Sequence, residues 1–406
     1  MTTEVLTRKT TSTATPWLAM TALVLVAFNL RPAVTSVGPV LEELRADLGM
    51  SAAVAGLLTS VPALCFAVVG VTAPRLARRF GADPVILAGI AALTAGLAAR
   101  PLVGGVPLFL LLSGLALAGI ALVNVLLPVV VKERFGDRVG AMTGVYSTAL
   151  NVGATTAAAV TVPTAAGPGD DWRIGLGTWA VLAALSLVPW LALVRRTAAA
   201  RRAAPAADDT ATTPRAPSVR MSASPTAWAL ATFFGLQATA AYVIIGWLPQ
   251  VFRDAGLSAQ TAGLLFAVTS LLGVPLSYVL SAAAGRMRSQ SGLAALLAVF
   301  GLAGYAGLFV APAGAPWVWA VLLGISNCAF PLALTMIGLR GGDATTVVRL
   351  SAFTQSAGYL LSIPGPVIVG TLYDHTGGWR APLAFLAVLM AAQLVAGWFA
   401  GRDRRL

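Results

Sequence analysis

The chain has 406 residues, 58% of them hydrophobic and only 10% charged, with a mean hydropathy of +0.84. Soluble domains carry about 25% charged residues, so this composition excludes a soluble globular protein and requires a polytopic membrane protein. The net charge of +12 would point to nucleic acid in a soluble chain; here it arises from basic loops, and no nucleic-acid partner is expected.

Residues 1–16 are polar, rich in Thr, and carry Arg8 and Lys9. The apolar segment that follows is too long for a signal-peptide core and lacks a small-residue cleavage site, so it is expected to be retained. From Trp17 to Leu30 the apolar run is about 14 residues, too short to cross a ~30 Å hydrocarbon core at 1.5 Å per residue. The segment spans only if it continues through Phe28-Asn29-Leu30-Arg31-Pro32-Ala33-Val34-Thr35-Ser36-Val37-Gly38-Pro39 to Val40, where Glu42, Glu43, Arg45 and Asp47 mark water. Arg31 then stands roughly 21 Å along the helix, at or just beyond mid-membrane. A guanidinium there costs at least ~2.5–3.5 kcal/mol, and such a group normally faces a polar interior and serves a function. Arg31 therefore reads as the fixed positive charge of an anion-binding site. The structural alternative is a side chain that snorkels to the interface or satisfies carbonyls freed by Pro32.

Windows of about 19 residues give twelve expected spans: 17–40, 52–73, 84–100, 107–131, 140–162, 173–194, 227–251, 260–284, 291–310, 317–339, 350–372 and 382–400. With the N-terminus inside, 21 of the 27 basic residues fall in inner segments, among them Arg75, Arg78, Arg79, Arg134, Arg195, Arg215, Arg220 and Arg405. Five (Arg45, Arg100, Arg173, Arg253 and Arg380) fall outside, and Arg31 is the remaining one. This positive-inside bias places both termini in the cytoplasm. Residues 195–224 mix Arg, Ala, Pro, Asp and Thr without an apolar period and read as a cytoplasmic linker. It separates a six-helix bundle over 1–194 from a second over 225–406.

The two bundles repeat one another. Asp47-Leu48-Gly49-Met50-Ser51-Ala52-Ala53-Val54-Ala55-Gly56-Leu57-Leu58 matches Asp254-Ala255-Gly256-Leu257-Ser258-Ala259-Gln260-Thr261-Ala262-Gly263-Leu264-Leu265 without a gap. Asn124 to Pro128 echoes Asn327 to Pro331, and Arg138 to Thr143 echoes Arg349 to Thr354. Each pair lies six helices apart, so the repeats have parallel topology, with the substrate site expected at their midplane interface. The expected fold class is an all-α membrane protein with twelve transmembrane helices in two parallel six-helix repeats, an arrangement that resembles the major facilitator fold. Extending the match backward sets Arg31 and Gln237 at similar depth on opposite halves.

Polar residues inside the spans are the candidate substrate-binding groups. They are Asn29 and Arg31 in helix 1, Asn124 in helix 4, Tyr146 and Asn151 in helix 5, Gln237 and Tyr242 in helix 7, Asn327 in helix 10, and Gln355 and Tyr359 in helix 11. Amides and phenols can donate to an anion beside a guanidinium, although an amide in a span equally serves interhelical hydrogen bonding. Trp247 reads as either an interface anchor or a cavity residue. All fifteen carboxylates fall in loops or at helix ends, so no membrane-embedded proton relay is expected. His375 reads as an exposed loop residue. Cys65 and Cys328 lie in apolar spans and form no disulfide framework. No phosphate-binding loop, metal-ligand spacing or nucleophile constellation is present, so neither a cofactor, a metal nor an enzyme activity is expected.

The first-helix stretch from Phe28 to Pro39 resembles the signature of the cyanate and 2-nitroimidazole transporter family of the major facilitators. The likeness includes Val125 to Pro128, Thr143 to Tyr146, Gly235-Leu236-Gln237, Tyr242, Trp247-Leu248-Pro249, Phe330 to Thr335, Gln355 to Tyr359 and Tyr373 to Gly377. The facilitator loop pattern after helix 2 (Gly-x-Leu-Ala-Asp-Arg-x-Gly) stands here as Pro74-Arg75-Leu76-Ala77-Arg78-Arg79-Phe80-Gly81. With arginine in place of the aspartate, the gating contacts of that loop are expected to be rearranged around Arg78 and Arg79. The resemblance implies a monomeric transporter that moves a small anion such as cyanate by alternating access, and the excess of Arg over Lys together with abundant Ala points to a bacterial inner membrane. Its alternative is an exporter of neutral or weakly acidic nitroaromatic compounds. Transport direction and coupling stay open, and a non-transporting sensor is disfavoured by the short tails and linker.

Overall fold

The computed structural model describes residues 14–135, 138–166, 171–203, 221–342 and 344–404. Arg8, Lys9, Arg215, Arg220 and Arg405 lie outside the described residues, as does 204–220 of the expected linker. The described residues are 89% helix and form twelve helical segments in succession. They are α1 (Ala14–Asn29, continued by Pro32–Thr35, Gly38–Val40 and Leu41–Leu48), α2 (Ala52–Phe80), α3 (Ala82–Ala99), α4 (Val106–Phe135), α5 (Val139–Ala165) and α6 (Trp172–Ala203) in the first half. The second half holds α7 (Pro225–Asp254), α8 (Ala259–Leu271 and Gly273–Arg286), α9 (Ser291–Val310), α10 (Pro316–Asn327 and Ala329–Arg340), α11 (Ala344–Ser362 and Pro364–Thr376) and α12 (Arg380–Ala400). Ten are long and apolar enough to cross a membrane. The remaining two, α5 and α11, carry the most Thr, Ser, Gly, Asn and Gln, which lowers their hydropathy.

The repeat seen in the sequence is present in the backbone. Gly49 and Gly256, equivalent by the gapless match, both adopt positive φ (62° and 93°) where α1 and α7 end, a conformation that costs glycine nothing. Two residues later Ser51 and Ser258 are extended N-caps whose side chains accept from the Val54 and Thr261 amides. The same turn chemistry thus sets the entry of α2 and α8.

α6 runs to Ala203, past the expected boundary at 194. The extension is anchored by Thr197, whose hydroxyl donates to Asp83 at 3.0 Å while Arg134 also binds Asp83 and Thr197. The buried Trp190 indole donates to the Asp83 carbonyl at 3.0 Å. These contacts tie the ends of α3, α4 and α6 at the face that the charge bias leads one to expect as the inner one. In the second half a neutral Gln290 receives Arg340, which also donates to the Gly401 carbonyl.

The two halves meet along α1–α7, α2–α11 and α5–α8, chiefly through the outer pieces of the broken helices: Gly38–Val40, Ala259–Leu271 and Pro364–Thr376. At Gly56 a Cβ would fall 2.2 Å from the Pro366 carbonyl oxygen of α11. Gly56→Val is therefore expected to hold the outer ends of α2 and α11 apart. Cysteines placed at those ends should become more reactive to a membrane-impermeant thiol reagent, and unchanged reactivity would refute the packing.

Candidate functional site

The site begins with a backbone fault. Pro32 has no N–H, so the Phe28 carbonyl loses its helical donor, and α1 breaks at Leu30 and Arg31. Beyond the break, the Arg31 carbonyl accepts from the Val34 and Thr35 amides and from the Thr35 hydroxyl, each at 3.0 Å. Gly153 on α5 lets the freed segment come close, since a Cβ there would stand 2.0 Å from the Phe28 oxygen. A second fault lies in α10. Pro331 deprives the Asn327 carbonyl of its donor, and the Gln237 amide of α7 supplies one at 3.1 Å while also donating to Asn327 Oδ1 at 2.9 Å. α8 and α11 are broken too, at Leu272 and Ile363. Discontinuous helices near the midplane are where facilitators and their like place polar backbone toward a cavity.

Arg31 is half-buried, and no carboxylate among the described residues pairs with it. Its charge is within electrostatic reach of the Tyr242 and Tyr359 hydroxyls, both on the opposite half. Tyr359 in turn joins an aromatic cluster that bridges the halves. It stacks on Phe66 of α2 at 5.1 Å and meets Phe234 edge-on at 5.0 Å, with Phe330 a further 5.7 Å from Phe234. A cation without a carboxylate partner among the described residues, within electrostatic reach of two phenols, can bind a small anion, and the aromatic cluster can hold a flat one.

The other candidates take varied positions. Asn29, expected at the site, instead ties α1 to α6 by donating to the Leu25 and Leu182 carbonyls at 2.8 and 3.1 Å. Gln237 is spent on Asn327, with its own Oε1 buried and unpartnered. Asn151 donates to the Ser147 carbonyl on its own helix and turns its oxygen toward Gly273 at the α8 break. Gln355 donates to Ser351 one turn back. Asn124 is half-buried in α4, and Tyr146 is half-buried against the core of the first half. Arg78 and Arg79 are both exposed at the inner end of α2. Arg79 lies over the Phe80 ring, and Arg78 lines a recess of about 760 Å³ with Asp83, Glu133 and Arg134, all of the first half.

Sequence reasoning missed a polar lock at the outer end. Arg253 of α7 holds both Glu42 and Glu43 of α1 at 2.8 Å. Asp374 at the end of α11 accepts from the Ala52 and Ala53 amides (3.2 and 2.9 Å), capping α2 across the boundary, and pairs with Arg45 at 3.7 Å. Asp254 gathers Tyr373, Trp379 and Gln250 at 2.7–2.8 Å. Trp247 is neither an interface anchor nor a cavity residue. It is fully buried between Tyr373 and Trp379, with the Arg45 guanidinium 5.9 Å from its ring. His375 is exposed on the last turn of α11, beside the lock. The available signal was the pairing of acidic Glu42 and Glu43 with basic Arg253 at the ends of the two repeat-related helices.

Residues 23–363 match the family model of the Major Facilitator Superfamily. The chain is 34% identical over 388 residues to the 2-nitroimidazole transporter of Escherichia coli K12, covering 95% of each chain. It is 30% identical over 374 residues to the cyanate transport protein CynX of the same organism, covering 92% of this chain and 94% of that one. An uncharacterized transporter of Bacillus subtilis strain 168, YycB, is 36% identical, covering 96% of this chain and 94% of its own length. Among solved structures, a bacterial homologue of the human lysosomal transporter Spinster, in an inward-facing and occupied conformation, superposes with a TM-score of 0.78. It is 16% identical and covers 95% of this chain and 98% of that one. Twelve helices in two repeats, breaks at midplane depth and these relatives converge: the chain is a transporter of the major facilitator superfamily and belongs to its cyanate and 2-nitroimidazole transporter branch.

Proposed function

We propose that this transporter moves a small anion, with cyanate as the model substrate, by alternating access of its two halves, with Arg31 as the group that binds the charge. The observation that carries this reading is the Arg31 guanidinium at a helix break, without a carboxylate partner among the described residues and within reach of two tyrosines of the other half. Tyr359, Gln355, Asn327 and Asn151 would orient the substrate and meet its hydrogen-bonding demand, Tyr146 and Tyr242 would border it, and Gln237, whose amide donates to Asn327, would hold Asn327 in place. Substrate binding shields Arg31 and biases the closure of the halves, because a ligand shifts an equilibrium only through differential affinity. The working form is a monomer in a bacterial inner membrane with both termini cytoplasmic, which the positive-inside bias supports.

The bridging aromatic cluster favours a second reading, in which a flat nitroaromatic compound lies on Phe66, Tyr359 and Phe234. Competition separates the two. In proteoliposomes, the anion reading expects cyanate to displace 2-nitroimidazole and Phe234→Ala to change cyanate uptake less than threefold. The aromatic reading expects Phe234→Ala to lower 2-nitroimidazole uptake about tenfold while cyanate fails to compete. A stacked ring contributes ~0.5–1.5 kcal/mol, which at 1.4 kcal/mol per decade reaches that factor only for a substrate with a π face.

A further inference from the structure

Arg100 was expected in an outer loop. It stands instead in a single turn, Arg100–Leu102, at the end of α3 and is 1% exposed. Nη1 donates to the Ala33 carbonyl at 3.1 Å, while Nε and Nη2 are buried with no hydrogen-bond partner. That carbonyl is an orphan of the α1 break. In a continuous helix it would accept from the Val37 amide, but Val37 donates to Val34 instead, at 3.3 Å. A fully buried guanidinium with two unmet donors is expensive, and an aliphatic side chain would fill the same space more cheaply. What the arginine adds is a long, rigid donor that reaches a backbone oxygen two residues from Arg31.

We propose that Arg100 is a positioning residue for Arg31: by holding the Ala33 carbonyl it fixes the short piece Pro32–Thr35 and keeps the Arg31 guanidinium turned toward the opposite half. The same contact sets a second cation beside the site with no carboxylate paired to it among the described residues. Two of the four helix breaks, those in α1 and α10, are then closed in one way, by a side-chain N–H from a neighbouring helix on an orphaned carbonyl: Arg100 on Ala33 in the first half, Gln237 on Asn327 in the second. This inference rests on the reading of Arg31 as the anion-binding group.

The test uses full-length protein in lipid nanodiscs, with hydrogen exchange over residues 33–40 and equilibrium binding of cyanate and of 2-nitroimidazole. Arg100→Met should speed exchange of the Val34–Gly38 amides at least tenfold while α9 and α12 keep wild-type protection, and should weaken binding about tenfold. Arg100→Lys, which retains a donor for Ala33, should stay within threefold of wild type in both readouts. In an Arg31→Lys background, Arg100→Met should cost less than a further twofold in binding. The inference is overturned if exchange over 33–40 is unchanged, if the Lys variant is as impaired as the Met variant, or if the two binding losses multiply. Should Arg100→Met fail to fold, Arg100→Leu, which likewise carries no donor, takes its place in the same comparisons. Should neither compound bind the wild-type protein, the exchange result alone decides. Wild-type binding by Arg31→Gln would instead remove the reading of Arg31, which is a separate outcome.

Discussion

Arg31→Ala protein is expected to lose saturable cyanate uptake in proteoliposomes by about 10- to 150-fold while folding at least as stably as the wild type. The two halves of that expectation come from different physics. A charge-assisted hydrogen bond to the substrate contributes ~1.5–3 kcal/mol, which at 1.4 kcal/mol per decade gives the range stated. Removing the guanidinium breaks no ion pair among the described residues and relieves the cost of holding a cation in the membrane, ~2.5–3.5 kcal/mol at least. Uptake and thermal unfolding measured on one preparation check both. A variant that transports poorly because it unfolds would melt lower, and that result would assign Arg31 to structure.

Asp374→Ala should open the outer end. The carboxylate caps two amides at the start of α2 and pairs with Arg45, so its loss removes the cross-boundary cap in one step. An N-cap is worth ~0.5–2 kcal/mol. Because Asp374 is about one-third exposed (34%), solvent screening holds the ion-pair contribution to a few tenths of that. A loss of ~1–2 kcal/mol moves a two-state ratio by a factor of about 5–30. Spin labels at Ala46 and His375, both exposed and on opposite halves, would read the change in a background without Cys65 and Cys328. The population at longer distance should rise by that factor, and an unchanged distribution would show that the lock does not govern closure.

Much of this architecture can be read in one dimension because membrane spans and repeats are local patterns. The run from Trp17 to Leu30 is too short alone, which forces Arg31 into the membrane, and the structure places it at a half-buried break rather than at a helix end. The gapless match around Gly49 and Gly256 carries its own backbone signature, so equivalent turns follow from equivalent residues. Pro32 and Pro331 likewise announce the orphaned carbonyls of Phe28 and Asn327.

What hydropathy does not contain is the direction of a side chain at a helix end. Arg100 and Arg253 look alike in sequence, each a basic residue at an outer terminus. One turns inward to Ala33 and the other reaches across to Glu42 and Glu43. The Asp374 cap joins residues separated by 322 positions, which no local pattern encodes. Asn29 shows the same limit from the other side. It sits two residues from Arg31, yet as the last residue before the break in α1 it faces α6, where it meets Leu182. Trp247 is apolar and near a helix end, and only packing against Tyr373 and Trp379 distinguishes a seal from an anchor.

The most direct test of the account is a set of equilibrium binding isotherms for cyanate on purified wild-type, Arg31→Lys and Arg31→Gln protein at constant ionic strength. If Arg31 binds the charge, the wild type binds saturably, the lysine variant binds with intermediate affinity, and the glutamine variant, which keeps donors but not charge, loses at least tenfold. Equal affinity for the wild-type and glutamine proteins would contradict it.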